Sequence, residues 1–406
     1  MMIDGADTAW LMLSSVLVLM MTLPALGLFY AGLVQAKNIL SVLIQCLGIA
    51  CVVSLLWFAI GYSEAFSGSG ALIGDLRAVF LQHAGRGAVH PGATVPETVY
   101  VMFQMTFAII TPGLIVGAYV ERIRFEAVLL FSGLWLLAVY APVAHWVWGG
   151  GWLAAYGVMD FAGGIVVHVT AGISALVMAW MLGPREGFPR EVRPPHAPWM
   201  VMTGGCLLWV GWFGFNAGSA IKSGADAGMT MLATHLAAAT ATLTWMAIER
   251  IKFGKPSVVG AVTGSVAGLA TITPASGYVG PLGAVALGFV AGCLCFAAVS
   301  IVKRRFKVDD ALDVLGVHGV GGALGSIALP FAASIGIGGA ALSHAIPQQF
   351  GVQVLGVTSV ALWSTAVTAI IIKFVAAVTG LRAGREAETQ GLDFVAHGET
   401  GYHVNA

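Results

Sequence analysis

Two histidines stand where an ionisable side chain is expensive. His168 lies in "DFAGGIVVHVTAG" (160–172) and His318 in "DVLGVHGVGG" (313–322), each within a run of small and apolar residues. A titratable group in a membrane-like run is by default a functional residue. Two readings stand for each imidazole: a neutral ring bonding a neighbouring helix, or a ring lining a passage and bonding a small guest. The repetition favours the second. Asp160 precedes His168 by eight residues, as Asp310 precedes His318, and Gly172 and Gly322 each follow four residues later. Gly164, Gly172 and Gly322 fall one helical turn from an imidazole, on its own face. Small residues there clear room for a lumen, or for close packing of helices.

Asp160 and Asp310 stand at helix starts, where a carboxylate caps free backbone N–H groups. A capping carboxylate at Asp160 can also help to attract a cation. Aromatic residues gather at one level. "AHWVWGGGW" (144–152), "WVGWFGFNAGS" (209–219) and "QMTF" (104–107) all approach the same end of their segments. Most tryptophans at such a level belong to an interfacial belt. An aromatic face turned to a vestibule instead holds a cation by roughly 0.5–2 kcal/mol, and the Ser219 hydroxyl could accept a hydrogen bond from it. Enzyme chemistry has little support. No Walker A loop, GxSxG elbow or dinucleotide fingerprint occurs. The two histidines are not at i, i+4 on one helix, and no carboxylate or thiolate beside them completes a metal site. The five cysteines lie in apolar segments without metal spacing and read as packing residues. Neither cofactor nor metal is expected.

The elements that position these groups are membrane helices. The chain has 406 residues, 58% hydrophobic and 9% charged, whereas a soluble domain carries about 25% charged residues. Its surface must meet a lipid bilayer. Net charge is zero, so no nucleic acid or other polyelectrolyte partner is implied. Eleven apolar segments are expected to span: 9–33, 39–61, 98–119, 125–144, 162–182, 198–217, 227–249, 257–274, 280–302, 311–331 and 351–378. Helices are expected because lipid offers the backbone no hydrogen-bond partner. The opening segment lacks the basic flank of a signal peptide and reads as the first span. Of the nineteen Lys and Arg residues, fifteen fall after odd-numbered spans and three after even-numbered ones. That asymmetry places the N-terminus outside and the C-terminus in the cytoplasm.

The sequence also repeats itself. The histidine motifs join the fifth and tenth spans, and "LFYAGL" (28–33) and "GFNAGS" (214–219) join the first and sixth. Two five-helix halves, about 9–182 and 198–331, are therefore expected, with an extra helix at 351–378. An odd number of spans per half makes the second half inverted, an arrangement typical of transporters and channels with a mid-depth site between halves. Residues 1–378 form the membrane domain on this reading, and 379–406 a cytoplasmic tail.

The motifs "YAPVAHWVWGGGWL" (140–153), "DFAGGIVVHVTAG" (160–172), "GWFGFNAGS" (211–219) and "DDALDVLGVHGVGG" (309–322) resemble those of the ammonium transporter (Amt/Mep/Rh) family, on its Amt branch. The likeness runs from about residue 26 to "GLD" and "HGE" in the tail. It implies a homotrimer of eleven-helix protomers, each with a narrow hydrophobic pore that takes ammonium, or methylammonium, and passes ammonia. By the same resemblance Phe107, Trp148 and Ser219 form an outer ammonium site, with Trp212 a neighbouring pore-mouth aromatic. Phe107 and Phe215 are stacked rings blocking the pore, and His168 and His318 are hydrogen-bonded twin histidines lining it. Asp160 matches an acidic residue needed for transport but not touching substrate. The tail resembles a segment that couples trimers and docks a PII signalling protein, although "GLRAGREAETQ" (380–390) is less acidic than is usual there. Rival readings are an Rh-like channel for neutral gas, an ammonium sensor signalling through its tail, and a channel for another small solute. The outer loop 62–97 suggests no role.

Overall fold

The computed structural model describes residues 2–191 and 193–402. The last four residues of the tail, 403–406, lie outside the described residues. The described chain is all-helical. Ten helices are long and apolar enough to cross a membrane: α1 (Gly5–Leu33), α2 (Ala36–Phe66), α3 (Glu97–Tyr119), α4 (Phe125–Ala155), α5 (Gly164–Leu182), α6 (Pro198–Gly218), α7 (Ala225–Phe253), α9 (Pro281–Arg304), α10 (Leu315–Ala333) and α11 (Ile346–Thr379). The apolar helix α8 (Val258–Ile272) has only fifteen residues, about 22 Å of rise against a hydrocarbon core of about 30 Å. It stops short of the expected 274 because the chain turns at Pro274. Two short helices, α12 (Arg385–Gln390) and α13 (Leu392–His397), end the described chain.

Local chemistry sets several boundaries. α1 begins at Gly5, four residues earlier than hydropathy suggests, because the Asp4 carboxylate accepts from the N–H groups of Ala6 and Asp7. It breaks at Leu23, whose backbone leaves the helical region beside Pro24, a residue without an amide hydrogen to donate. α10 begins at Leu315 rather than 311, after a turn in which the Asp310 carboxylate accepts from the Leu315 N–H at 2.7 Å. Asp310 is thus the cap that its position suggested.

Burial sorts the helices into an inner and an outer set. In their most apolar windows α3 and α5 bury 83% and 78% of residues, whereas α7 and α11 bury 33% each. α3 and α5 are therefore central, and the outer helices present residues such as Leu243, Ile251 and Leu362 that need lipid or protein to cover them. The α5 and α10 backbones touch. A side chain on Gly172 would meet the Gly319 Cα at 2.3 Å, and one on Gly322 would meet the Gly164 carbonyl oxygen at 2.5 Å. The space that these glycines clear is filled by the partner backbone, so close packing, rather than a lumen, uses it.

The tail folds back on the start of α2. The Asp393 carboxylate accepts from the Ser41 N–H at 2.7 Å, the Asn38 side chain accepts from the Leu392 N–H at 2.9 Å, and Lys37 donates to the Glu388 carbonyl at 2.8 Å. An ion-pair cluster lies on the same face of the molecule. Arg185 pairs with Asp309 at 2.8 Å and with Glu121 at 2.9 Å, and Arg122 lies fully buried beside Asp309. Burial pushes both carboxyl groups up, but the Arg185 guanidinium outweighs it and leaves each below its ordinary range.

Candidate functional site

The two imidazoles meet. His168 on α5 and His318 on α10 are 1% and 4% exposed, and their Nδ1 atoms lie 3.3 Å apart. One nitrogen donates and the other accepts, which fixes opposite tautomers on the two rings. Both histidines sit in a π-helical turn, Gly164–Val169 and Leu315–Gly319. Such turns widen a helix locally and re-aim side chains. His168 Nε2 is buried and has no hydrogen-bond partner among the described residues. An unpaired buried nitrogen costs about 1–3 kcal/mol, so it marks a place where a small polar guest would be welcome.

Asp160 positions one of these rings without approaching it directly. Its Oδ1 accepts from Gly163 and Gly164 at 2.9 and 2.6 Å, and its Oδ2 from Ile165 and Val166 at 2.8 and 3.0 Å. All four N–H groups open the helix that carries His168, so the capping reading describes Asp160. The Asp160 carbonyl accepts the Trp148 indole N–H at 2.8 Å. One residue thus ties the tryptophan to the histidine helix.

Two phenylalanines separate the tryptophan from the histidines. Phe107 and Phe215 stack with ring centroids 4.1 Å apart, and Phe107 meets the Trp148 ring edge-on at 6.0 Å. Phe215 also lies parallel to His168 at 6.1 Å. Ser219, one turn beyond Phe215, donates to the Phe215 carbonyl at 2.8 Å, leaving its oxygen lone pairs free to accept.

Trp212 departs from its expected place at the mouth. It is 2% exposed, stacks on His168 at 5.6 Å and donates to the Thr273 hydroxyl at 2.9 Å. The reason is helical rise: Trp212 precedes Phe215 by three residues, so it lies about 4.5 Å deeper along α6. It belongs to the wall of the histidine chamber. Thr273 was not singled out by sequence, and a single threonine after an apolar run gave no signal for it.

Three cavities line up on these groups. A chamber with about 10 Å³ of room for a water-sized molecule is lined by His168, His318, Trp212, Phe215, Leu114 and Val266, among others. A second cavity of about 180 Å³ shares His318, Phe29 and Val266 with it and opens toward Arg185, Arg193 and Lys303 on the tail face. A third, of about 640 Å³, reaches Trp148 from the opposite face and is walled by the loop between α2 and α3, including His83, His90 and Glu97. No group of three or more His, Cys, Asp or Glu residues with metal-holding geometry occurs among the described residues.

The chain matches the Ammonium Transporter Family over residues 9–402. It is 43% identical, over the full length of both proteins, to a putative ammonium transporter of Methanothermobacter thermautotrophicus. Among solved structures, it is 36% identical to Mep2 of Candida albicans at a TM-score of 0.87, covering 95% of this chain and 87% of that one. A protein described as a Sensor Amt Protein superposes at a TM-score of 0.90 with 29% identity, covering 97% of this chain and 98% of the other. This multi-pass helical chain therefore belongs to the ammonium transporter family, whose members move a solute and are not enzymes.

Proposed function

We propose that the chain takes up ammonium at the Trp148 face and delivers ammonia through the histidine chamber. The carrying observation is the buried imidazole pair, with one unpaired nitrogen, in an apolar chamber behind two stacked rings. Phe107, Trp148 and Ser219 would hold the cation by ring faces and a hydroxyl acceptor. Cation–π attraction alone separates ammonium from potassium weakly. Discrimination comes from the next step, because moving past Phe107 and Phe215 strips water from the ion. Desolvation lowers an amine's pKa by up to ~3–5 units, so ammonium can give up its proton and enter uncharged. Potassium has no neutral form. His168 and His318 then offer ring nitrogens to the neutral guest. Trp212 walls the chamber, and Asp160 holds the His168 helix rather than the substrate. Methylammonium would follow the same route.

The surrounding architecture completes the reading. Eleven spans, the short α8 included, form two inverted five-helix halves with α11 added, the N-terminus outside and the C-terminus in the cytoplasm. Residues 1–378 form the membrane domain of a homotrimer in the cell membrane, serving nitrogen uptake. Residues 379–406 are the cytoplasmic tail, available for coupling protomers and for a PII protein. A second reading, ammonium sensing, is favoured by the similarity to the Sensor Amt Protein. Proteoliposomes test the two. Uptake or current with ammonium and methylammonium but not potassium, reduced in both His168→Ala and His318→Ala, supports transport. Ammonium binding without flux would favour the sensor.

A further inference from the structure

The loop between α2 and α3 carries a charge cluster that the transport reading leaves unused. Glu97, at the start of α3, is 3% exposed. Its Oε1 accepts from the Tyr62 hydroxyl and from His83 Nε2 at 2.9 Å, and its Oε2 from His90 Nδ1 at 2.7 Å. Tyr62 packs parallel to His83, and His90 stacks on Tyr100 at 3.5 Å. The Tyr100 hydroxyl accepts from Gln104, one turn before Phe107 on the same helix. Glu97, Tyr62, His83, His90 and Tyr100 all line the cavity of about 640 Å³ that ends at Trp148.

We propose that Glu97 is the recruiting charge of an antechamber, and that His83 and His90 set its sign with external pH. The proposal rests on the reading of Trp148 as the outer ammonium site. With both imidazoles neutral, each donates one N–H to the carboxylate and the cluster keeps one net negative charge, which draws a cation toward Trp148. With both protonated, the hydrogen bonds persist but the cluster carries one net positive charge and repels it. Imidazoles change charge between about pH 5 and 8, and a cleft lined by one sign of charge raises or lowers local cation concentration by factors of 10 or more. Other charges around the cluster do not reverse the sign. Arg77 is paired with Asp75, and Asp7 of α1 accepts from Thr94 in the loop. Glu64 of α2 keeps one buried oxygen without a partner among the described residues, and any charge it carries is negative, so it cannot reverse the sign. His145 of α4 has its ring nitrogens 3.0 and 2.6 Å from the carbonyl oxygens of Ala65 and Gly70, to which a ring N–H donates, so its polar atoms are engaged by loop backbone rather than by Glu97.

The test is methylammonium uptake into cells or proteoliposomes, with KM measured from pH 5.5 to 8. Methylammonium stays protonated throughout that window. The wild-type KM should fall several-fold as pH rises, and the slope should weaken in high salt. The double variant His83→Gln/His90→Gln keeps donors for Glu97 but cannot charge, so its KM should stay low and flat with pH. Glu97→Gln should raise KM about threefold to tenfold at pH 8, with the maximal rate changing less. If Glu97→Gln fails to reach the membrane, the pH profile of the histidine pair decides. A double-histidine variant whose KM tracks pH as wild type does would overturn the proposal. In that case Trp148→Leu distinguishes the two readings: a raised KM there leaves the outer-site assignment standing, and an unchanged one removes both.

Discussion

Asp160 is the residue whose replacement most sharply separates architecture from chemistry. Its carboxylate satisfies four buried N–H groups at the start of α5. Asp160→Ala leaves all four without an acceptor, at about 1 kcal/mol each on the low side, so about 4 kcal/mol is expected to be lost. Asp160→Asn keeps the oxygen that serves Gly163 and Gly164 and turns an amide donor toward Ile165 and Val166, so about half that loss is expected as a minimum. For a chain of this length each kcal/mol corresponds to roughly 1 °C in Tm. Thermal unfolding of detergent-solubilised protein should therefore fall by about 4 °C or more for alanine and about 2 °C or more for asparagine. Methylammonium uptake should fall in the same order, because His168 lies on the second turn of the destabilised helix. A variant that unfolds at the wild-type temperature yet transports nothing would refute the argument. It would mean that the carboxylate acts on the substrate itself.

Three other perturbations probe separate parts of the structure. His318→Ala removes one ring nitrogen from the chamber; losing about 1 kcal/mol of hydrogen bonding to a neutral guest predicts at least a fivefold fall in uptake, or measurable potassium passage, in proteoliposomes. Gly172→Ala sets a methyl group against the Gly319 backbone, which should cost about 1–3 kcal/mol by overpacking and lower both Tm and uptake. Arg185→Gln takes the counter-charge from Asp309 and Glu121. In wild type those depressed carboxyl groups stabilise the fold above their ordinary pKa of about 4, and that contribution is lost as pH falls through their lower folded values. Without Arg185 burial is no longer outweighed and the folded values rise above the ordinary range, so the variant should be less stable than wild type at neutral pH and the gap in Tm between them should narrow as pH falls through about 4.

The sequence made some of this legible for identifiable reasons. His168 and His318 stood out because an imidazole in an apolar run has little else to be, and their common offset from an aspartate linked the two helices. The segment limits followed hydropathy, and failed where single side chains decide: Asp4 extends α1, Pro24 breaks it, and the turn after Asp310 delays α10. Trp212 was misplaced because helical rise, not proximity in sequence to a mouth motif, sets depth. The Phe107–Phe215 stack could be named only through family resemblance, since nothing local in "QMTF" or "GFNAGS" says that the two rings meet. Glu97, His83 and His90 were invisible as a group. His83 and His90 lie in an irregular loop and Glu97 at the helix start that follows it, where no periodicity reports which side chains converge.

The contact between Gly172 and Gly319 has a dynamic consequence. Two backbones that touch at their crossing have no side chain between them to slide on, so relative movement of α5 and α10 at this point is opposed by backbone contact. On the transport reading, passage would then depend on the flipping of individual aromatic rings, a far quicker event than a rocking motion of microseconds to milliseconds when the rings have room. On the transport reading, throughput in this protein would be limited by how often a ring steps aside and how readily an ion sheds its water.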